Sequence, residues 1–262
     1  MSCSSAAPRR IRLDLAYDGT DFAGYQLQPR RRTVQGTLEA ALGQLAGQRA
    51  VRVRGASRTD AGAHARAQVV DCALACRLDD ASLAHALARL LPSDVRPLAV
   101  RSVSERFHAQ YDAQSKTYRY RIDRSPYGDP FLARYALHVP QPLDVERLTE
   151  ALALVPGRRD WSGFADSRCR VRDRVREVLE ASWADVGPLE GAFMFRADGF
   201  LTHMVRNLVG TLLEIGRGLR PTSSLAAILE RRDRTLAAAA APARGLTLWR
   251  VTYPGEAPDD RP

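Results

Sequence analysis

Arg58, Asp60 and His64 fall together in the decapeptide GASRTDAGAH. The residues on both sides alternate as half-buried strands do, with Val51, Val53 and Gly55 against Arg52 and Arg54 before it and ARAQVVDCAL after it. A hairpin link needs little more than a glycine and an Asn or Asp at its turn. Each of the three side chains has an ordinary reading: Asp60 bonded to nearby backbone N–H groups, Arg58 solvated, His64 structural. Gathered on one loop between strands, they also occupy the kind of place where catalytic groups are set.

A second cluster lies in GFLTHMVRNLVG, residues 199–210. Thr202 reads as the N-cap of a helix, which puts His203 and Arg206 in its first turn, where a cation opposes the macrodipole at a cost of roughly 0.3–1 kcal/mol. Such a position asks for an acidic partner or an anionic ligand, unless the arginine simply snorkels to the surface. Met204, Val205, Leu208, Leu212 and Ile215 read as ordinary core. A third cluster, RCRVRDRVRE, sets Arg168, Arg170, Arg172, Arg174 and Arg176 at every second position. If the whole run is extended, all five line one strand face and make a phosphate track; the plain alternative is a solvated edge tempered by Asp166, Asp173 and Glu177.

Metal and nucleotide chemistry find little support. Asp14, Asp18 and Asp21 do not follow a calcium-loop pattern. The histidines at 64, 85, 108, 138 and 203 show no paired ligand spacing, and no phosphate-loop or dinucleotide glycine pattern is present.

The elements that must position these clusters follow from periodicity. IRLDLAY (11–17) reads as a strand, Thr33 as the N-cap of a helix over 34–46, and Asp80 as the cap of a helix over 81–91, followed by a strand at 95–106. With the strands flanking the loop, the order is β-α-β-β-α-β, the ferredoxin-like pattern. It recurs downstream: a strand at 115–123 with Tyr118, Tyr120 and Ile122 on one face, a helix at 143–155, strands near 171–185 and 191–198, a helix at 203–217, and a last strand at 246–253. The expectation is an α+β protein of two ferredoxin-like halves, 1–110 and 111–262, with antiparallel sheets and an active-site cleft between them.

At 262 residues the chain can bury one large core or two ordinary ones. Its first ten residues lack a secretory apolar run, and no stretch approaches the ~20 apolar residues of a membrane span. Cys72, Cys76 and Cys169 read as small buried hydrophobes of a reducing cytoplasm, with Cys3 in a disordered start. Net charge is +9, and Lys116 is the single lysine among 39 basic residues. The first 110 residues carry 16 basic against 10 acidic side chains, the rest 23 against 20. Coding bias explains Arg over Lys but not a positive excess in both halves, so a nucleic acid becomes the leading partner.

With GASRTDAGAHARAQV and HMVRNLVG both in view, the chain resembles the bacterial tRNA pseudouridine synthases of the A type. Further likeness runs through YDGTDFAGYQ, TVQGTLEAAL, FHAQYDAQSKTYRY, DRTLAAAAAPARGL and the closing VTYP. Ser57, Ala63 and Tyr25 depart from the Gly, Val and Trp common at those places. The resemblance implies an enzyme that isomerises uridines 38, 39 and 40 in the anticodon arm, working without cofactor or metal as a cytoplasmic homodimer that holds tRNA. It implies that Asp60 is the catalytic nucleophile, attacking either C1′ or C6, with Arg206 as its ion-pair partner. Tyr118 would stack on the base and take the C5 proton, Leu246 would pack in the site, and Arg58 would help displace the target base. On the separate reading of the arginine run as a phosphate track, Arg170 and Arg172 would contact tRNA phosphates.

Two other classes fit part of the pattern. A non-catalytic RNA-binding protein accounts for the charge and the split fold, but not for a first-turn Arg facing an aspartate loop. A paired-carboxylate glycosidase also breaks bonds at an anomeric carbon, but no second carboxylate stands out beside Asp60.

Overall fold

The computed structural model describes residues 7–47 and 51–256; Cys3 lies outside them. The chain divides into two compact units, residues 1–114 with 248–262, and residues 115–247. No helix among the described residues is long and apolar enough to cross a membrane.

The first unit runs β1 (Arg9–Tyr17), α1 (Val34–Ala46), β2 (Arg54–Gly55), β3 (His64–Leu74), α2 (Asp80–Leu90) and β4 (Val95–Ser102). β1 is the central strand, antiparallel to β3 and to β4, with Leu13 opposite Val70 on one side and Val100 on the other. Ile11, Leu13, Leu15 and Tyr17 are buried, as their alternation requires. α1 starts where expected: the Thr33 side chain accepts the Gly36 N–H at 3.2 Å. Leu38, Ala41 and Leu42 then turn inward. α2 is capped one residue earlier than expected, by Asp79, which accepts from the Ser82 N–H at 2.7 Å. Asp80 instead takes the Ser102 N–H at 2.7 Å and ties the helix start to the end of β4.

β2 is only two residues long, so the strand before the loop is a short pairing of Arg54 and Gly55 with Asp71 and Val70 of β3. Asp71 is fully buried. Arg54 and Arg10 reach it at 3.0 Å each, and the Ala109 N–H donates at 2.9 Å. A buried carboxylate with three donors is compensated rather than orphaned.

The second unit runs β5 (Ser115–Asp123), β6 (Leu137–His138), α3 (Val145–Ala153), β7 (Gly157–Asp160), β8 (Val175–Gly187), β9 (Glu190–Ala197), α4 (Met204–Gly216) and α5 (Ser223–Arg231), and β10 (Leu246–Thr252) follows them in the chain. β5, β9, β8 and β7 pair antiparallel in that order, while β6 pairs parallel with β5. Trp161, Phe164, Phe193, Phe195 and Tyr120 fill the core with Leu208, Leu212 and Ile215 of α4. The class is α+β with mostly antiparallel strand pairing.

The compact units differ from the expected halves at one end: the chain after 247 groups with the first unit. The reason is a set of local bonds. Tyr253 donates its hydroxyl to the Ala109 carbonyl at 2.6 Å, Gln114 donates its N–H to Thr252 at 2.8 Å, and Arg12 lies 4.5 Å over the Tyr253 ring while pairing with Glu256.

The arginine run is not one strand. Only Arg176 lies within β8; Arg170 and Arg172 are exposed on the segment before it, and Arg168 bends back to Asp166. Cys169 is buried but Val171 is exposed, so the run lacks the apolar face that would hold it to a sheet.

Candidate active site

Asp60 stands in the turn between β2 and β3, half-buried, with Arg58 exposed beside it. The turn closes through the Ala63 N–H on the Asp60 carbonyl at 3.1 Å, and Gly62 supplies the positive φ of 79° it needs. Thr59 is buried and fastened at both ends: its hydroxyl lies 2.8 Å from that of Tyr17, and its carbonyl accepts the Tyr25 N–H at 3.1 Å. Burial pushes the Tyr17 phenol up to about 12, so it stays a neutral anchor. Gln68, fully buried on β3, clamps Ser57 by donating to its carbonyl at 2.7 Å and accepting its N–H at 3.2 Å.

The segment 17–25 lies against this turn from the other side. A Cβ on Gly19 would come within 1.8 Å of the Ala63 carbonyl oxygen, so only glycine permits the approach. Gly24, at φ 94°, also passes near Thr59 and Asp60, where a Cβ would stand 3.0 Å from the Thr59 carbonyl oxygen. His64 faces this segment. Its Nδ1 is 3.1 Å from both the Gly19 N–H and Asp18 Oδ1. The Gly19 N–H donates to this ring nitrogen, which holds the imidazole against segment 17–25. Asp18 Oδ1 meanwhile takes the Thr20 N–H at 2.9 Å and its hydroxyl at 2.6 Å. His64 thus holds the loop's frame, while Asp60 and Arg58 are presented by it.

In the second unit, Tyr118 is buried on β5 opposite Phe195, with Phe200 edge-on at 5.2 Å. Arg206 is the third residue of α4. Its Nε donates to the Ala241 carbonyl at 2.7 Å, and the Ala241 N–H returns to the Arg206 carbonyl at 3.0 Å. The neighbouring Tyr120 donates to Pro242 at 2.7 Å. Burial pushes this phenol well above its usual range, while Arg206 and Arg244 pull the other way. A Cβ on Gly245 would meet the Tyr120 ring at 2.7 Å, which lets the chain pass close and leaves Leu246 buried just beyond. The stretch 241–246 therefore gathers Arg206, Tyr120 and Leu246. Arg170 and Arg172 are exposed in the segment before β8.

The start of α4 differs from expectation. Thr202 is not its cap; His203 is, in the left-handed region at φ 58° and without a side-chain cap bond. It has the acidic partner its position called for: Nδ1 lies 2.6 Å from Asp166 Oδ2. Arg168 and His203 together hold the Asp166 carboxyl well below the usual range. Sequence reasoning missed Asp166, Phe200 and the Gln68 clamp. Phe200, inside GFLTHMVRN itself, was the one available signal; the others depend on contacts between distant segments.

The family model described as tRNA pseudouridine synthase matches residues 15–112 and 151–254. Among curated proteins, the chain is 43% identical to a tRNA pseudouridine synthase A of Latilactobacillus sakei, over 94% of this chain and 99% of that one. A protein of the same name from Brevibacillus brevis is 43% identical over 94% of this chain and all of its own length, and one from Halalkalibacterium halodurans is 44% identical over 91% and 90%. A match of this extent, with the family model covering the aspartate loop and the Arg206 helix, shows that the chain belongs to the tRNA pseudouridine synthase family.

Proposed function

We infer that this protein converts uridine to pseudouridine at positions 38, 39 and 40 of the tRNA anticodon arm. The observation that carries the reading is Asp60 on a turn braced from two sides by Tyr17, Gln68 and Gly19. A nucleophile must be aimed as well as ionised, and rigid support is what holds aim.

The reaction breaks N1–C1′ and forms C5–C1′. The proton lost from C5 is balanced by one gained at N1, so the product is an isomer and no redox partner enters. In this reading the Asp60 carboxylate supplies the electron pair that releases the base, and Arg206 is its ion-pair partner. That pairing rests on charge: a first-turn cation is disfavoured by the helix dipole and a nucleophilic carboxylate is favoured by a cation. Tyr118 stacks on the uracil and receives the C5 proton, and Leu246 walls the base. Because a stacked base is out of reach, the uridine must be flipped at a cost of a few kcal/mol, with Arg58 holding the place it leaves. Arg170 and Arg172 contact phosphate. Two copies of the chain share each tRNA in the cytoplasm.

Tritium release from C5-labelled uridine in tRNA tests the assignment. Asp60→Asn and Asp60→Ala should both fall below about a thousandth of wild-type turnover while tRNA affinity changes little, the range expected when one member of a catalytic set is removed. Substantial release by both variants would remove Asp60 from the chemistry.

A further inference from the structure

Lys116 is the single lysine among 39 basic residues. Where every other cation is arginine, the one ammonium marks a position with a different requirement. It lies half-buried at the start of β5, across from Ala197 of β9. It has the same strand parity as Tyr118, roughly 7 Å further along the strand.

Its charged neighbours come from two elements, Arg176 from β8 and Asp198 just after β9. Asp198 is already engaged: its Oδ1 accepts the Glu177 N–H at 3.0 Å, and its Oδ2 is 4.0 Å from Arg158. Arg176 is fixed in place by donating to the carbonyls of Asp173, at 3.1 Å, and Val175. Gly199 makes room for it, since a Cβ there would stand 3.2 Å from Arg176 Nε. The next residue, Phe200, is the one edge-on to Tyr118. Lys116 and Arg176 thus stand near a carboxylate that already accepts the Glu177 N–H and faces Arg158, and they lie beside the tyrosine read as the base platform.

We propose that Lys116 and Arg176 form a binding site for a backbone phosphate of the RNA strand whose base stacks on Tyr118. The site rests on the reading of Tyr118 as that platform. An anion restores the charge balance that the free protein lacks. Burial, with Arg176 adding to it, pushes the Lys116 ammonium down to about 8, and an arriving phosphate raises it again. Binding therefore takes up a proton. Affinity is full below pH 8 and falls as pH rises through the interval between the free and bound values. Arginine, charged throughout, would lack this dependence.

The lone lysine makes the test direct. Reductive methylation of the full-length protein with ¹³C-formaldehyde labels Lys116 Nζ and the terminal amine. The Nζ signal of the free protein should titrate near pH 8, and with saturating unmodified tRNA transcript its midpoint should rise by about one unit, equivalent to a tenfold loss of affinity between pH 8 and 9. A midpoint unmoved by tRNA overturns the proposal. Lys116→Met should raise the tRNA Kd about tenfold at pH 7 with kcat little changed; Lys116→Arg should bind tightly and without pH dependence between 7 and 9. A Met variant that binds as wild type does at both pH values also overturns it. Failure of the wild-type protein to release tritium would strike the synthase reading instead, and the Nζ titration distinguishes that outcome from failure of the phosphate site.

Discussion

Gly19 has no space for a side chain, because its Cβ would lie 1.8 Å from the Ala63 carbonyl oxygen. Gly19→Ala must therefore push the Asp60 turn away from segment 17–25. Overpacking of this kind costs about 1–3 kcal/mol, and a 1 Å misplacement of a catalytic group about 10²-fold in rate. The expected result is a lower Tm and a kcat reduced at least tenfold with tRNA affinity retained; unchanged kcat would mean that the turn's position is not critical. At Arg206, the Nε bond to Ala241 leaves the planar fork's direction set by the backbone. Arg206→Lys keeps charge without that geometry and should retain a few per cent of turnover, whereas Arg206→Ala should lose nearly all of it. Equal activities in single-turnover tritium release would deny the side chain its proposed role.

At the scale of elements, periodicity was readable wherever one face of a strand or helix is buried. β1, α1, β5 and the apolar stripe of α4 all appear close to where alternation and 3.6-residue spacing place them. The errors have physical causes. Thr202 looked like the cap of α4, but the chain enters the helix through His203 at positive φ, which no pattern of residue types announces. The alternating arginines looked like a strand, yet the residues between them include exposed Val171 and Asp173 and so offer no sheet a face to cover. Asp60 drew attention through the density of functional types around it. Its supports did not, since Tyr17, Gly19 and Gln68 reach it only after folding. The loop placement of Arg170 and Arg172 still leaves them open to phosphate. Replacing either with Ala should weaken tRNA binding across sequences and lower the log–log salt slope by roughly 0.7–0.9 per lost contact. An unchanged slope in both would leave them as solvated charges.

At the scale of the whole molecule, residues 115–247 form one continuous compact unit, whereas the first unit is built from two separated pieces, 1–114 and 248–262. A fragment of residues 115–247 should give cooperative thermal unfolding on its own. Residues 1–114 should not, until a peptide carrying 248–256 restores the Tyr253 bond to Ala109 and the Glu256 pair with Arg12. Cooperative unfolding of 1–114 alone would show those bonds to be dispensable.

That discontinuity orders the protein's birth. The ribosome releases the aspartate loop first, yet the unit that braces it stays unfinished while the whole of 115–247 is translated, a delay of about 7–27 s at 5–20 residues per second. During that interval the nascent first unit exposes the apolar surface that Leu248, Val251 and Tyr253 later cover, so it is a stretch in need of a chaperone. Residues 248–256 act as a fastener, and a message truncated just short of them should yield a chain whose first unit is open to proteases.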